Sequence, residues 1–402
     1  TFNDNTAVGH SALGANTGAD NTAVGKSALA GNTSGSANTA MGFNAMSTSS
    51  AGPIRNVAMG YQALVAITNG GYNTALGMWA GQTLESGTEN TFVGYQAGKL
   101  VLGGVNNTCV GSGAGATISG SSHNTAIGQD SLRNSTAANC TAVGYTALQA
   151  NIGGVTNTAV GSEALKTNTT AGNNVALGYR AGLGAAGGAG GANSVWIGSY
   201  CGISVVSGQD NVAIGYLTGD SITSGGYNVL MGTNAGQAII TNNSNTCIGY
   251  GAGRYLTGSG SVAIGAGALD LCVGSEGNVA VGGNALGVAT GANNVAIGRS
   301  AAHSSSSGAN NTVVGTYAVN ANLTGNGNVV MGYQAAYAIT SGAYNVAIGS
   351  SALRGVCTGN HNVAIGFEAL KAVTSGGENV AIGRDAMHDI GSGTQNVAVG
   401  HE

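Results

Sequence analysis

The stretch Asn345-Val346-Ala347-Ile348-Gly349 shows the pattern that runs through the whole chain, an Asn, a Thr or Val, usually an Ala, an aliphatic residue and a Gly. The first copy reads Asn5-Thr6-Ala7-Val8-Gly9 and the last reads Asn396-Val397-Ala398-Val399-Gly400. There are 24 copies of this phrase. Most neighbouring copies are separated by the same number of residues, as Gly332 and Gly349 are. A fixed period of ~17 residues predicts a solenoid of stacked coils.

The composition narrows the classes of function. Charged residues make up 6% of the 402 residues, against roughly 25% in typical soluble domains. The chain has 74 glycines without the three-residue period of collagen, which excludes a triple helix. No apolar run approaches the ~18 residues of a membrane span, so we expect no membrane insertion. The net charge of −4 offers no basic stripe, which argues against nucleic-acid binding.

Positions are numbered here from the repeat glycine. Position −1 is always aliphatic and position −3 is always Thr or Val, and both alternate with position −2 as in a β-strand. We expect −1 and −3 to share the buried face. Position −2 is usually Ala but is Phe92, Trp196 or Leu230 in some copies, and we expect it to face solvent or another chain.

Two further columns predict the corner of each coil. The repeat glycine follows the strand and is expected to make a turn that excludes a side chain. Position −4 is Asn in 21 copies, and stacked Asn side chains can hydrogen-bond from coil to coil. Representative members of this corner ladder are Asn5, Asn21, Asn73, Asn124, Asn211, Asn294, Asn345, Asn396, Gly9, Gly25, Gly77, Gly128, Gly215, Gly298, Gly349 and Gly400.

A second apolar segment follows at positions +3 to +7 and predicts a second strand, followed by a variable turn. The expected fold is therefore all-β, a single parallel β-solenoid (a β-roll) of about 24 coils over residues 1–402. The Gly-rich insertion at 182–191 is expected to bulge outward without interrupting the stack, and it is a candidate junction between repeat blocks. A coil this thin leaves one apolar stripe exposed, which predicts self-association.

The repeats at Asn345–Ala352 and Asn362–Ala369 resemble the head repeat of YadA-like trimeric adhesins. The stretch Cys140–Leu148 is similar to repeats of bacterial and phage tail-fibre-type proteins. The resemblance implies a left-handed parallel β-roll and a homotrimer, located outside the cell, on its surface or on a virion. The repeat here is longer than in the adhesin heads. Because the pattern runs to both ends, we expect the native polypeptide to continue beyond them.

The residues that carry chemistry are scattered. The six cysteines occupy columns that never coincide in adjacent coils, which predicts buried free thiols. None of the six histidines has a metal ligand at a useful spacing in sequence, and the acids are too sparse for a carboxylate pair. We therefore expect no catalytic, cofactor or metal site.

Position +1 is rich in aromatic residues, and Lys and Arg occupy it in other copies, which predicts exposure. Aromatic side chains in a row suit stacking on sugars, so this column is a candidate contact for a glycan or another receptor. The alternative is that these rings cover glycine corners and pack on neighbouring coils. The tyrosines are Tyr61, Tyr95, Tyr145, Tyr179, Tyr216, Tyr250 and Tyr333.

The sequence favours a non-catalytic structural and adhesive fibre shaft: a phage tail fibre, a surface adhesin or an extracellular filament. One alternative is an ice- or surface-binding solenoid, because nine of the first ten copies have Thr at position −3. Two observations argue against ice binding. Position −3 is expected to be buried, and it changes to mostly Val after Val175. A polysaccharide-binding or -degrading fibre is the other alternative.

Overall fold

The computed structural model describes residues 4–49, 52–184 and 191–402. The chain divides into two compact units, Thr1–Ser207 and Gly208–Glu402, called here the first and second unit. In both units, each repeat phrase forms a three-residue strand that pairs in parallel with the strand of the next repeat.

The described residues of the first unit contain twelve strands in one parallel sheet, and their registers match repeat to repeat, as in Thr22↔Thr39 and Thr141↔Thr158. They are β1 (Thr6–Val8), β2 (Thr22–Val24), β3 (Thr39–Met41), β4 (Val57–Met59), β5 (Thr74–Leu76), β6 (Thr91–Val93), β7 (Thr108–Val110), β8 (Thr125–Ile127), β9 (Thr141–Val143), β10 (Thr158–Val160), β11 (Val175–Leu177) and β12 (Val195–Ile197).

The second unit also contains twelve repeat strands, with a short additional pair of strands between Leu271 and Ala289. Its strands are β13 (Val212–Ile214), β14 (Val229–Met231), β15 (Thr246–Ile248), β16 (Val262–Ile264), β17 (Leu271–Cys272), β18 (Val279–Val281), β19 (Val288–Ala289), β20 (Val295–Ile297), β21 (Thr312–Val314), β22 (Val329–Met331), β23 (Val346–Ile348), β24 (Val363–Ile365), β25 (Val380–Ile382) and β26 (Val397–Val399). The additional pair is β17 with β19.

Both units are therefore all-β parallel solenoids whose successive coils have the spacing that the sequence period predicts. The described residues contain no helix, and hence none long and apolar enough to cross a membrane. Strands β11 and β12, which flank the insertion at 182–191, are paired as Val175↔Val195, so the insertion does not interrupt the sheet. Residues 185–190 of the expected loop lie outside the described residues.

The prediction of a second strand in each coil is wrong for nearly all the described coils. After the glycine, positions +2 and +4 have positive φ, as at Ser27 (58°) and Leu29 (51°). The N–H groups at these two positions point to opposite neighbours, since Ser27 donates to the carbonyl of His10 in the preceding coil (2.9 Å) and Leu29 to that of Ala45 in the next (3.0 Å). A leucine in the left-handed helical conformation costs roughly 1–2 kcal/mol. The hydrogen bonds to the coils on both sides hold these residues in that conformation.

The face assignment from the sequence is also wrong. Position −2 is the interior of the coil: Ala296 is 0% exposed, whereas its neighbour Ile297 at position −1 is 41% exposed. The interior is completed by Ala at +3 and by aliphatic side chains at +4 and +7, such as Ala63, Leu64 and Ile67. Alternation shows that a strand has two different faces, but it does not show which one is inside.

The large residues at position −2 fit inside because glycine replaces Leu at position +4. Phe92 is fully buried, and a Cβ on Gly98 of the same coil would lie 2.3 Å from its ring. A Cβ on Gly81 of the preceding coil would lie 2.9 Å from the same ring. Trp196 packs in the same way between Gly182 and Gly202, and Leu230 between Gly219 and Gly236.

The asparagines at position −4 form a buried ladder. The backbone N–H of Asn73 donates to Oδ1 of Asn56 (2.9 Å), and Nδ2 of Asn73 donates to the carbonyl of Gly87 in the next coil (2.8 Å). The same pattern recurs through both units, for example at Asn345. Because buried amide groups must be hydrogen-bonded, each Asn ties three successive coils together at the corner.

The repeat glycines satisfy two constraints at once. Gly77 has a φ of 136°, a conformation that disfavours a side chain, and a Cβ there would lie 2.4 Å from the carbonyl oxygen of Gly94. The other repeat glycines have φ between 121° and 144°, and those followed by another coil of the same unit also lie close to the backbone of the next repeat glycine. The corner therefore allows neighbouring backbones to approach closely.

Candidate functional site

The first and last residues of the 24 repeat strands, at positions −3 and −1, form what we call the outer strand face. Their side chains are half-buried or exposed, as at Ile127 (39%) and Met331 (47%). All of these positions, two in each of 24 copies, hold Thr, Val, Ile, Leu or Met, and none holds a charge. Each unit thus presents an uncharged, mainly aliphatic row along its sheet.

The charges lie on other columns. Ten of the eleven Lys and Arg residues occupy positions +1, +2 or +5: Lys26, Lys99, Arg133, Lys166, Arg180, Arg254, Arg299, Arg354, Lys371 and Arg384. Stacking pairs some of them with acids, as in the 2.8 Å contact between Arg180 and Glu163 in neighbouring coils. Depletion of charge from one row and its accumulation on others is typical of a surface that meets a partner.

The predicted tyrosine column is exposed, with Tyr61, Tyr95, Tyr145, Tyr179, Tyr216, Tyr250 and Tyr333 all at least 39% accessible. In the first unit, however, part of this column is an aromatic ladder. Phe43 and Tyr61 stack at 5.3 Å and 11°, and Trp79 contacts both Tyr61 and Tyr95. Trp79 lies at position +2, so the column pattern did not include it.

In the aromatic ladder, contacts between neighbouring coils occupy ring faces on which a sugar would have to stack. Phe43 is stacked on Tyr61 by one face, and the ammonium of Lys26 lies 5.7 Å from its ring centre. Lys99 lies 5.0 Å from the Trp79 ring. Such cation–π and ring contacts stabilise neighbouring coils. This segment therefore matches the packing interpretation of the column better than the sugar-stacking one.

Tyr250 lies in a different setting, at the edge of an open cleft of about 370 Å³ in the second unit. Arg254, Asp270 and Arg299 line the same cleft, and Arg254 contacts Asp270 at 3.0 Å. Burial raises the pKa of the Asp270 carboxyl, and the neighbouring Arg254 opposes that rise. Tyr250 is 60% exposed, so its ring is open to a receptor.

A cluster of metal-ligand type occurs late in the second unit, and sequence spacing alone did not indicate it. One ligand atom each from Glu368, Asp385 and His388 lies within 4.8 Å of the other two. His388 thus has carboxylate neighbours in space that its spacing in the sequence did not reveal. The residues meet because Glu368 and Asp385 occupy the same position in successive coils, and His388 follows Asp385 by less than one turn of the coil.

No protein-family model matches this chain, and no curated protein is detectably similar to it. The resemblance to adhesin and tail-fibre repeats thus depends on the repeat phrase itself.

None of the six cysteines forms a disulfide, and all six are buried, which confirms the prediction of interior thiols. Burial raises the pKa of Cys109 and of Cys247 to about 12, and that of Cys357 to about 11. Because the thiolate is the reactive form, these groups are poor nucleophiles. They serve as small side chains inside the coil.

Proposed function

We propose that this chain is a segment of a structural and adhesive fibre, without catalytic activity, that works as a homotrimer with parallel coil axes. The outer strand faces of three chains pack against one another, and the charged and aromatic columns face outward. In this assembly the fibre acts outside the cell, on a cell surface or on a virion.

The observation that carries this proposal is the outer strand face. An uncharged row, repeated in every coil and left partly exposed on a single chain, is unusual for a soluble monomer. Packing it against other copies removes the remaining aliphatic area from water at about 25 cal/mol per Å². A symmetric homo-oligomer supplies such partners in matching register, since every chain has the same period.

The receptor contact is proposed for the exposed tyrosines outside the aromatic ladder, with Tyr250 and its cleft as the leading candidate. A tyrosine ring stacks on the apolar face of a sugar, and the adjacent Arg254 and Arg299 supply hydrogen-bond donors. The partner is therefore a surface glycan or another receptor with polar groups beside an apolar patch.

Sedimentation equilibrium tests the assembly. We expect the mass of three chains for the wild type. Ile297→Asp together with Ile382→Asp, both on the outer strand face, should give a folded monomer, because charges there oppose packing between chains. Tyr333→Ser, on the exposed tyrosine column, is the matched control and should remain trimeric. A wild-type monomer at micromolar concentration would refute the proposal.

A second function gains support from the position of the threonines. The objection to ice or surface binding was a buried Thr column, yet Thr91, Thr108 and Thr125 lie half-exposed on the outer strand face. This places a regular row of hydroxyl and methyl groups, with a strand spacing of about 4.8 Å, on the surface of the first unit.

Thermal hysteresis separates the two functions, because a trimer that buries this row cannot present it to ice. The surface-binding function requires a measurable thermal hysteresis, the difference between the melting and freezing temperatures. Thr108→Lys should abolish it, and Val329→Lys in the second unit should leave it unchanged. A trimer without hysteresis excludes it, and a monomer with hysteresis replaces the fibre proposal.

A further inference from the structure

Three carboxylates occupy position +2 in successive coils of the second unit: Glu368, Asp385 and Glu402. The backbone N–H of Glu402 donates to the carbonyl of Arg384, which stacks the last coil on the one before it. The first unit has a different arrangement at the same position, where Glu163 is followed by Arg180 and the two form a 2.8 Å ion pair. Like charges stacked one coil apart repel each other, so the acidic column favours a bound cation.

His388 makes the acidic column a mixed ligand set. Its Nε2 lies 3.6 Å from Oε2 of Glu368. Two ligand atoms that each bind a tetrahedral metal at about 2.1 Å lie about 3.4 Å apart, so the existing separation is close to that of a bound pair. Asp385 supplies the third ligand atom within 4.8 Å of both.

Neighbouring side chains orient all three ligands. Asp389 contacts Nδ1 of His388 at 2.8 Å, which leaves Nε2 toward the cluster. Lys371 binds Oε1 of Glu368 at 2.9 Å, and Arg384 binds Oδ2 of Asp385 at 3.2 Å, so each carboxylate keeps its other oxygen for a ligand. A carboxylate behind a ligating histidine is the usual second partner in protein metal sites.

The acids Glu368, Asp385 and Asp389 together outnumber the two cations, Lys371 and Arg384. Local charge therefore favours a cation in the space between the ligand atoms.

We propose that Glu368, Asp385 and His388 bind one divalent transition-metal ion of the zinc class, which joins two successive coils. One imidazole nitrogen with two carboxylate oxygens suits Zn²⁺ or Co²⁺ better than Ca²⁺ or Mg²⁺, which prefer oxygen ligands alone. Three protein ligands leave a coordination position open to water. This site does not depend on the proposed fibre function.

Titration of the chelator-treated full chain with ZnCl₂ by calorimetry tests the site. We expect one ion per chain with micromolar or tighter affinity. The absorption spectrum of the CoCl₂ complex should show bands typical of a low-coordinate site with nitrogen and oxygen ligands. His388→Gln and Asp385→Asn should each weaken binding by well over tenfold. Asp389→Asn should weaken it by about 10- to 100-fold while leaving all three ligands present.

Two matched variants control for general effects. His303 occupies the same position +5 in another coil, and its ring contacts the carbonyl of Asn284. Glu163 occupies position +2 but faces Arg180. His303→Gln and Glu163→Gln should bind Zn²⁺ as the wild type does, and circular dichroism should show that every variant is folded.

Several outcomes would overturn the inference. Binding weaker than millimolar would mean that the cluster is only a set of surface ion pairs. Equal loss in the His303→Gln and His388→Gln variants would mean adventitious binding to surface histidines. Tighter binding of Ca²⁺ than of Zn²⁺ would mean an oxygen-only site in which His388 is not a ligand.

Discussion

In the first unit, nine of twelve strands begin with Thr, and the last strand residue is most often Val. In the second unit, ten of the twelve repeat strands begin with Val, and their last residue is most often Ile. Beneath these different outer faces the interior is the same, with fully buried Ala at position −2 in most coils, as at Ala126 and Ala296. The interior column sets the shape of the coil, so the outer strand face is free to differ between units.

The largest expected effect comes from placing a charge in the shared interior. Ala126→Asp in the first unit and Ala296→Asp in the second should each destabilise their unit by about 3–5 kcal/mol, because the carboxylate is buried without a partner. Urea unfolding followed by circular dichroism measures the change in the free energy of unfolding.

The neighbouring positions provide the control for this prediction. Ile127→Asp and Ile297→Asp place the same charge on the outer strand face, where the side chains are 39% and 41% exposed. They should change the stability of a single chain by less than about 1 kcal/mol and act on assembly instead. Equal destabilisation at both positions would contradict the assignment of faces.

The size match between positions −2 and +4 gives the second prediction. Phe92→Ala should cost about 3–5 kcal/mol, because a cavity remains beside Gly81 and Gly98. Gly98→Leu alone should be destabilising as well, since the new side chain meets the Phe92 ring. The double variant has the common Ala and Leu combination and should recover at least half of the summed loss.

The same cycle in the second unit uses Leu230→Ala and Gly236→Leu. Because Leu230 is smaller than Phe92, its loss and its recovery should both be smaller. A coupling energy near zero in both units, from the four stabilities of each cycle, would show that the two positions do not share one space.

The sequence predicted the period, the parallel register, the glycine corners and the stacking of Asn side chains, because each depends on one column repeated many times. It did not predict which strand face is inside. The signal was present, since all seven copies without Ala at position −2 lack Leu or Met at +4, and all twelve copies with Leu or Met at +4 have Ala at −2. A large residue such as Trp196 in a column of Ala suggests exposure, whereas in the structure it fills the space that glycine leaves at position +4.

Other features depend on contacts between coils that a single copy of the repeat does not show. The aromatic ladder includes Trp79 from a neighbouring column, and its packing follows from ring orientation rather than position. The cluster of Glu368, Asp385 and His388 combines residues from successive coils. Spacing rules for metal ligands on one strand or helix do not include residues that lie a whole repeat apart in the sequence. A search for ligand-type residues at multiples of the repeat period would find this cluster.

An alkaline transition tests the buried thiols, of which Cys109 lies in the first unit and Cys247 in the second. Their folded-state pKa of about 12 is raised above the value of an unfolded thiol. A raised pKa means that the stability is fully present below about pH 8.5 and is lost as the pH rises toward 12. At pH 10 the expected loss is about 1–2 kcal/mol per thiol.

Cys109→Ala and Cys247→Ala should each reduce the slope of stability against pH between 8.5 and 11, whatever their effect at pH 7. Urea unfolding at several pH values gives this slope. In the native state at pH 8, a thiol reagent such as DTNB should react slowly with all six cysteines. Fast reaction of Cys109 or Cys247 would contradict their burial.

The smallest expected effect comes from exchanging the outer faces themselves. Thr91→Val, Thr108→Val and Thr125→Val together give part of the first unit the face of the second, and Val346→Thr, Val363→Thr and Val380→Thr do the reverse. Thr→Val replaces a hydroxyl with a methyl and Val→Thr does the reverse, which is worth about 0.5 kcal/mol at each half-exposed site that becomes buried between chains. Each triple variant should therefore shift association by about tenfold per chain, upward for the valines and downward for the threonines. Sedimentation at several concentrations measures the shift, and the stability of a dissociated chain should stay within about 0.5 kcal/mol of the wild type. If association does not change in either direction, the outer strand face is not the contact between chains, and the threonine row of the first unit must be tested as a surface that meets something other than another copy.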